Sequence, residues 1–167
     1  MAALVRHRYL WMFSRWCMGV AGVALVLFFA TSAVFAETRK MGAQEAYAAV
    51  QNNEIIILDI RSPGEWAETG VAQGAWPVTM HAPSFGPNLQ KIVARYPDAP
   101  IALICATGGR SNYVADVMGK NGIDNVIDIS EGMFGNGKDP GWIARNLPIQ
   151  DVETARQSHL AAMSKQD

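Results

Sequence analysis

The stretch IALICATGGRSNYVADVMGKNG, Ile101 to Gly122, decides how the rest of the sequence is read. An unbroken apolar run leads into Cys105, and two glycines, an arginine and a serine lead out of it. Pro100 to Cys105 reads as a strand buried on both faces, because its apolar residues are continuous rather than alternating. Ser111 is expected to cap a helix whose Tyr113, Val114, Val117 and Met118 form one apolar stripe, ending at Asn121-Gly122. A thiol therefore stands at the end of a buried strand, followed by residues with almost no side chains.

The flanking sequence repeats this strand-then-helix order. Met41 to Asn53 reads as a short helix, and Glu54 to Ile60 (EIIILDI) as a second fully buried strand broken by RSPGEW. A short strand is expected around Trp76 to Met80. Asn88 to Tyr96 places Leu89, Ile92, Val93 and Tyr96 on one helical face before Pro97 stops it. Asn125 to Ile129 (NVIDI) reads as a further strand. The glycine-rich stretch after Gly132 reads as a loop with one helical turn. From Asp151 onward a polar tail is expected, solvated and frayed, with a loosely docked helix as the alternative. The alternation implies an α/β domain with a mostly parallel central sheet and helices on both faces. Ligands of such sheets bind beyond the carboxyl ends of the strands, where Cys105 stands.

Half of the 167 residues are apolar, enough for one ordinary core, and the net charge is −1. All fifteen acids follow Ala36, leaving eleven bases against fifteen acids in the remainder, a balance of −4. That sign argues against a nucleic-acid partner. Residues 1–36 differ in kind: Arg6, Arg8 and Arg15 precede an uncharged apolar run ending in Val34-Phe35-Ala36. This pattern describes a secretory signal cleaved after Ala36. The alternative is an uncleaved anchor, since Trp16 to Ala36 is 21 residues, long enough to span a bilayer. Either way the domain at 37–150 and the tail at 151–167 are expected outside the cytoplasm, periplasmic or otherwise exported, with membrane contact only through an uncleaved segment.

With such a signal removed, Cys105 is the sole remaining thiol and has no intramolecular disulfide partner. A buried, inert cysteine is one reading. The loop supports another. Gly108 and Gly109 are expected to adopt angles closed to other residues, and the helix opening after them has amides with no intrahelical partner. Consecutive amides and a helix N-terminus form an anion nest, so the Cys105 thiol is expected to be acidified and nucleophilic. Arg110 adds a positive charge or a bidentate contact for an oxyanion.

CATGGRS resembles the active-site loop of the rhodanese family. ILDIRSPGEWAETG resembles its first signature, GVAQGAWPV its Gly-His-Ile-x-Gly-Ala segment, and ISEGMFG with Trp142 its closing segment. The resemblance covers about Met41 to Ile149 and implies a single rhodanese-like domain. It implies Cys105 as the catalytic residue, forming a persulfide with sulfur from a small anion such as thiosulfate. It further implies that Ala106, Thr107, Gly108, Gly109, Arg110 and Ser111 bind the donor, that Asp59 and Arg61 are structural, and that a thiol, cyanide or a protein accepts the sulfur. A persulfide carrier or a non-catalytic module binding a protein partner is the alternative role. Two departures stand out: Val71 replaces the family's usual His, and GNGKDPG lengthens the interval before Trp142.

Four residues separate Cys105 from Arg110, whereas thiol phosphatases of related folds use five. The smaller nest suits a sulfur atom better than a phosphoryl group. His7, His81 and His159 are scattered without metal spacing, and no glycine-rich loop with a following lysine appears. No metal, nucleotide or other cofactor is expected.

Overall fold

The computed structural model describes residues 38–165; the signal or anchor expected at 1–36 lies outside the described residues. In chain order the elements are β1 (Arg39–Met41), α1 (Ala43–Gln51), β2 (Ile56–Asp59), α2 (Pro63–Thr69), β3 (Val71–Ala72), β4 (Ala75–Pro77) and α3 (Phe85–Arg95). They continue with β5 (Ile101–Ile104), α4 (Gly109–Lys120), β6 (Val126–Ile129), α5 (Gly141–Ala144), β7 (Ile149–Gln150) and α6 (Val152–Ser164).

Five strands form one sheet in the order β1-β6-β5-β2-β4, every neighbouring pair parallel. The strand that carries Cys105 at its carboxyl end is thus the middle one. Side chains alternate across the sheet and build two cores. Ile57, Ala102, Ile104, Ile127 and Ile129 pack with Ala43, Ala46 and Ala49 of α1 and Trp142 of α5. Leu58, Ile101, Leu103 and Val126 pack with Leu89 and Ile92 of α3 and Val114, Ala115 and Met118 of α4. Burial on both faces explains why the strands read as continuous apolar runs.

Several elements differ from the sequence expectation. The segment RSPGEW does break β2, but α2 begins within it. Ser62 accepts a hydrogen bond from the Glu65 amide at 3.3 Å while its own amide donates to Glu65 Oε2 at 2.9 Å. Pro63 occupies the first helical position, where its missing N–H is no loss. Helix α3 starts at Phe85, with Pro87 tolerated in its first turn. β1 and the small antiparallel pair β3–β7 were too short to announce themselves.

Of the two forms open to the tail, the structure shows the docked helix rather than the solvated segment. Asp151 caps α6 by accepting from the Thr154 amide at 2.9 Å. Ala155 is buried beside Trp66 and Val71, and His159 stacks on Trp76 with ring centroids 4.9 Å apart. Tyr96 donates its hydroxyl to the Ala162 carbonyl at 2.9 Å. Exposed polar residues such as Glu153, Arg156 and Gln157 form the outer face of that helix. No helix among the described residues is long and apolar enough to cross a membrane.

Candidate active site

Cys105 lies directly after β5 and is only 1% exposed, on the face of the sheet that α4 covers. The loop that follows is held by its carbonyls. Cys105 O accepts from the Met133 amide at 2.9 Å and Ala106 O from the Phe134 amide at 2.8 Å. Gly108 O accepts from the Asn112 amide at 3.0 Å and lies 3.0 Å from the Ser111 hydroxyl. In a trans peptide the N–H points opposite to the carbonyl before it, so these bonds turn the amides of Ala106, Thr107 and Gly109 away from their tethers. Among the described residues, no acceptor meets the amides of Ala106 to Gly109. The first-turn amides of α4 add further donors without intrahelical partners.

Two glycines let the closing segment approach this closely. Gly108 has φ +85°, and a Cβ there would lie 2.2 Å from Ser130 O. Gly132 has φ +64°, and a Cβ there would lie 2.5 Å from Ala106 O and 2.7 Å from the Thr107 nitrogen. Gly109 was expected to share this conformational role, but it is an ordinary helical residue with open space where a side chain would project.

Ser111 is not the helix cap. Gly108 occupies that position, and Ser111 is fully buried within the first turn. Its hydroxyl is 3.5 Å from Cys105 Sγ and 2.6 Å from Asp128 Oδ1. Helix α4 is also rotated relative to the expected stripe. Val114, Ala115 and Met118 are buried, whereas Tyr113 is 63% exposed and Val117 faces solvent. Burial raises the pKa of Asp128 from its ordinary value, against the opposing influence of Ser111 and Lys40.

At the rim, both terminal nitrogens of Arg110 engage Glu65, Nη1 to Oε2 at 2.9 Å and Nη2 to Oε1 at 2.5 Å. This hydrogen-bonded pairing lowers the Glu65 carboxyl to about 2 and raises Arg110. The exposed His81 ring lies 3.4 Å from Arg110 Nη1. Arg110 is therefore already bidentate to a carboxylate of the chain itself. Thr107 and Gly109 are exposed at the loop's tip, and Ala106 is half-buried. Asp59 and Arg61 form a fully buried ion pair at 2.7 Å, with Arg61 also donating to Thr69 Oγ1 and the Gly70 carbonyl.

Residues 42–136 match the rhodanese-like domain family, more than half of the chain. The chain belongs to that family. Among curated relatives, the uncharacterized protein RP600 of Rickettsia prowazekii (strain Madrid E) is 29% identical over 107 residues, covering 60% of this chain and 87% of that one. Among solved structures, a thiosulfate sulfurtransferase from Pseudomonas aeruginosa shares the fold with a TM-score of 0.54 at 20% identity, covering 68% of this chain and 20% of that one. A rhodanese-like domain protein from Staphylococcus aureus aligns with a TM-score of 0.49 at 23% identity, covering 60% of this chain and 92% of that one.

The departures of this rhodanese-like domain have local explanations. Val71 is fully buried against Trp66 and Ala155, a packing position that needs no imidazole. The lengthened closing segment is tied down: Asn136 Oδ1 accepts from the amides of Lys138 and Asp139, and Arg145 pairs with Glu131 at 2.6 Å. Among the described residues no group of three or more potential metal ligands occurs. Two site residues escaped the sequence reading. Glu65 was legible as the fourth residue of Ser-Pro-x-Glu, a capping-box spacing. Asp128 was legible as a carboxylate inside the otherwise apolar strand NVIDI, where a buried charge demands a partner.

Proposed function

We propose that this rhodanese-like domain is a sulfurtransferase that carries sulfane sulfur on Cys105. The observation that supports this reading most is the loop after Cys105, whose tied carbonyls leave successive amides free beside a buried thiol. Amide donors of this kind favour an anionic sulfur and favour the negatively charged donor that delivers it.

In the first half-reaction the Cys105 thiolate attacks the outer sulfur of a donor such as thiosulfate. The new Sγ–S bond forms as the donor's S–S bond breaks, and sulfite leaves with the bonding electron pair. In the second, a nucleophile such as cyanide or a thiolate attacks the terminal persulfide sulfur, and Cys105 departs as thiolate. The loop amides carry the charge on the transferred sulfur in both steps. Arg110, bound to Glu65, holds the first turn of α4 against α2 and keeps the loop in shape, so the donor anion relies chiefly on the amides. The same proposal places the domain outside the cytoplasm, on the strength of the basic-then-apolar composition of residues 1–36.

Steady-state formation of thiocyanate from cyanide tests the reading, with thiosulfate, a thiosulfonate and a low-molecular-weight persulfide as alternative donors. Turnover by the wild type and none by Cys105→Ser is the expected result. No turnover with any of the three donors would overturn it.

A further inference from the structure

A thiol that is 1% exposed loses its proton through the groups that touch it, since little solvent reaches the residue. The hydroxyl of Ser111 touches Cys105 Sγ at 3.5 Å, and the carboxylate of Asp128 touches that hydroxyl at 2.6 Å. All three residues are buried. We propose that Asp128 is a positioning residue for Cys105, taking up the thiol proton through Ser111 and leaving a thiolate held by the serine hydroxyl. The purpose of this relay rests on the sulfurtransferase reading; its test does not.

A serine hydroxyl has one proton and two lone pairs, yet Ser111 Oγ has three neighbours: Sγ, Asp128 Oδ1 and the Gly108 carbonyl at 3.0 Å. With Asp128 ionised, the short contact to its carboxylate takes the hydroxyl proton. Sγ then faces a lone pair and keeps its own proton, donating to Oγ. In the other arrangement the S–H bond breaks and an O–H bond forms at Oγ, while the original hydroxyl proton moves to Oδ1. Asp128 becomes neutral, Ser111 donates to the thiolate, and the cluster's charge is unchanged. No outside acid, base or oxidant is needed.

The surroundings favour a carboxyl that can hold a proton. Strand alternation places Asp128 on the same face as Val126 and Leu103, in an apolar layer where a permanent charge is costly. Burial pushes its pKa up. The charged groups around the cluster are Lys40 from β1, which acts on Asp128, and Arg110 from α4, which acts on Cys105. Arg110 is itself paired with Glu65 of α2 and neighbours His81. None of these is placed to take the thiol proton as directly as the Ser111–Asp128 pair.

The test is the pH dependence of Cys105 alkylation by a small neutral iodoacetamide, read by mass on the peptide that carries Cys105. The wild type should show two steps joined by a plateau, because two groups sharing one proton titrate as a pair. Asp128→Asn, near-isosteric but unable to take up the proton, should show one step. Relieved of the carboxylate's charge, it should reach full reactivity about one pH unit below the second wild-type step and so react faster than wild type at the upper end of the plateau. At the alkaline end the two should converge. Ser111→Ala, which breaks the relay and keeps the carboxylate, should also show one step, and Ser111→Thr, which restores a hydroxyl, should recover the two-step profile. A single step in the wild type overturns the proposal, and so does a two-step profile that survives in Asp128→Asn. The latter would assign the first step to another group. The wild-type profile decides the matter even if a variant fails to fold. Alkylation needs no sulfur donor, so a two-step profile without sulfur transfer would refute the functional reading alone.

Discussion

Replacing Glu65 by Gln probes the tie between α2 and the Cys105 loop, and its effect should depend on pH in a defined direction. The Glu65 carboxyl is lowered from 4.5 to about 2 in the folded protein, mainly by its hydrogen bonds to Arg110. An acid depressed on folding contributes stability that is fully present above its unfolded pKa and is lost as pH falls through the folded one. The window is therefore from about pH 5 down to about pH 2. A depression of about 2.5 pH units, at about 1.36 kcal/mol each, sets a ceiling of about 3.4 kcal/mol. Both side chains are more than a quarter exposed or close to it (29% for Arg110, 25% for Glu65), so solvent screening reduces this to about 1–1.5 kcal/mol. Gln can retain much of the capping geometry at Ser62, so the loss is chiefly that of charge pairing. The assay is thermal unfolding of wild type and Glu65→Gln at successive pH values between neutrality and the acid limit. Taking the difference cancels other groups, including half-buried His159, whose pKa burial lowers. The variant should melt about 3–6 °C below wild type at neutral pH. The gap should close in acid. A gap that stays constant or widens as pH falls would refute the reasoning.

Three further outcomes follow from the geometry. Arg61→Met should destabilise by about 3–5 kcal/mol, because it strands the fully buried Asp59 carboxylate without its partner; a loss below about 1 kcal/mol in urea unfolding would contradict this. Gly108→Ala should cost more than about 2 kcal/mol, from a positive φ and a contact with backbone oxygen, while Gly109→Ala should be neutral or stabilising by up to about 1 kcal/mol; equal effects would overturn the distinction. Trp142→Phe removes the Nε1 donor to the Pro148 carbonyl at 2.9 Å and should cost about 1–2 kcal/mol by thermal unfolding. Trp66→Phe removes a buried Nε1 that has no partner among the described residues and should cost less.

What could be read from the sequence was what period and unbroken hydrophobicity carry. The runs EIIILDI and IALI are too apolar for any place but the middle of a covered sheet, and they fixed the position of Cys105 at a strand's carboxyl end. Shorter pieces lacked that signal. β3 and β7 have two residues each and exist because the Val71 and Gln150 backbones meet, a long-range pairing with no local pattern. The sequence does not decide between a docked α6 and a solvated tail, because the docking depends on single contacts, Ala155 against Trp66 and His159 on Trp76, within a polar composition. At the site, the glycines and the thiol were legible, but the partner of each polar group was not. Arg110 promised an anion contact and is held by Glu65, 45 residues away. Ser111 suggested a cap and instead bridges Cys105 and Asp128, because Gly108 alone can adopt the turn that starts α4.

The measurement that bears most directly on the central claim is the intact mass of the protein before and after exposure to a sulfane-sulfur donor, beside a Cys105→Ser control. The account predicts a gain of one sulfur atom on the wild type alone, discharged by cyanide or a thiol. A wild-type mass unchanged by thiosulfate, thiosulfonate and persulfide alike, or an equal gain on the control, would contradict it.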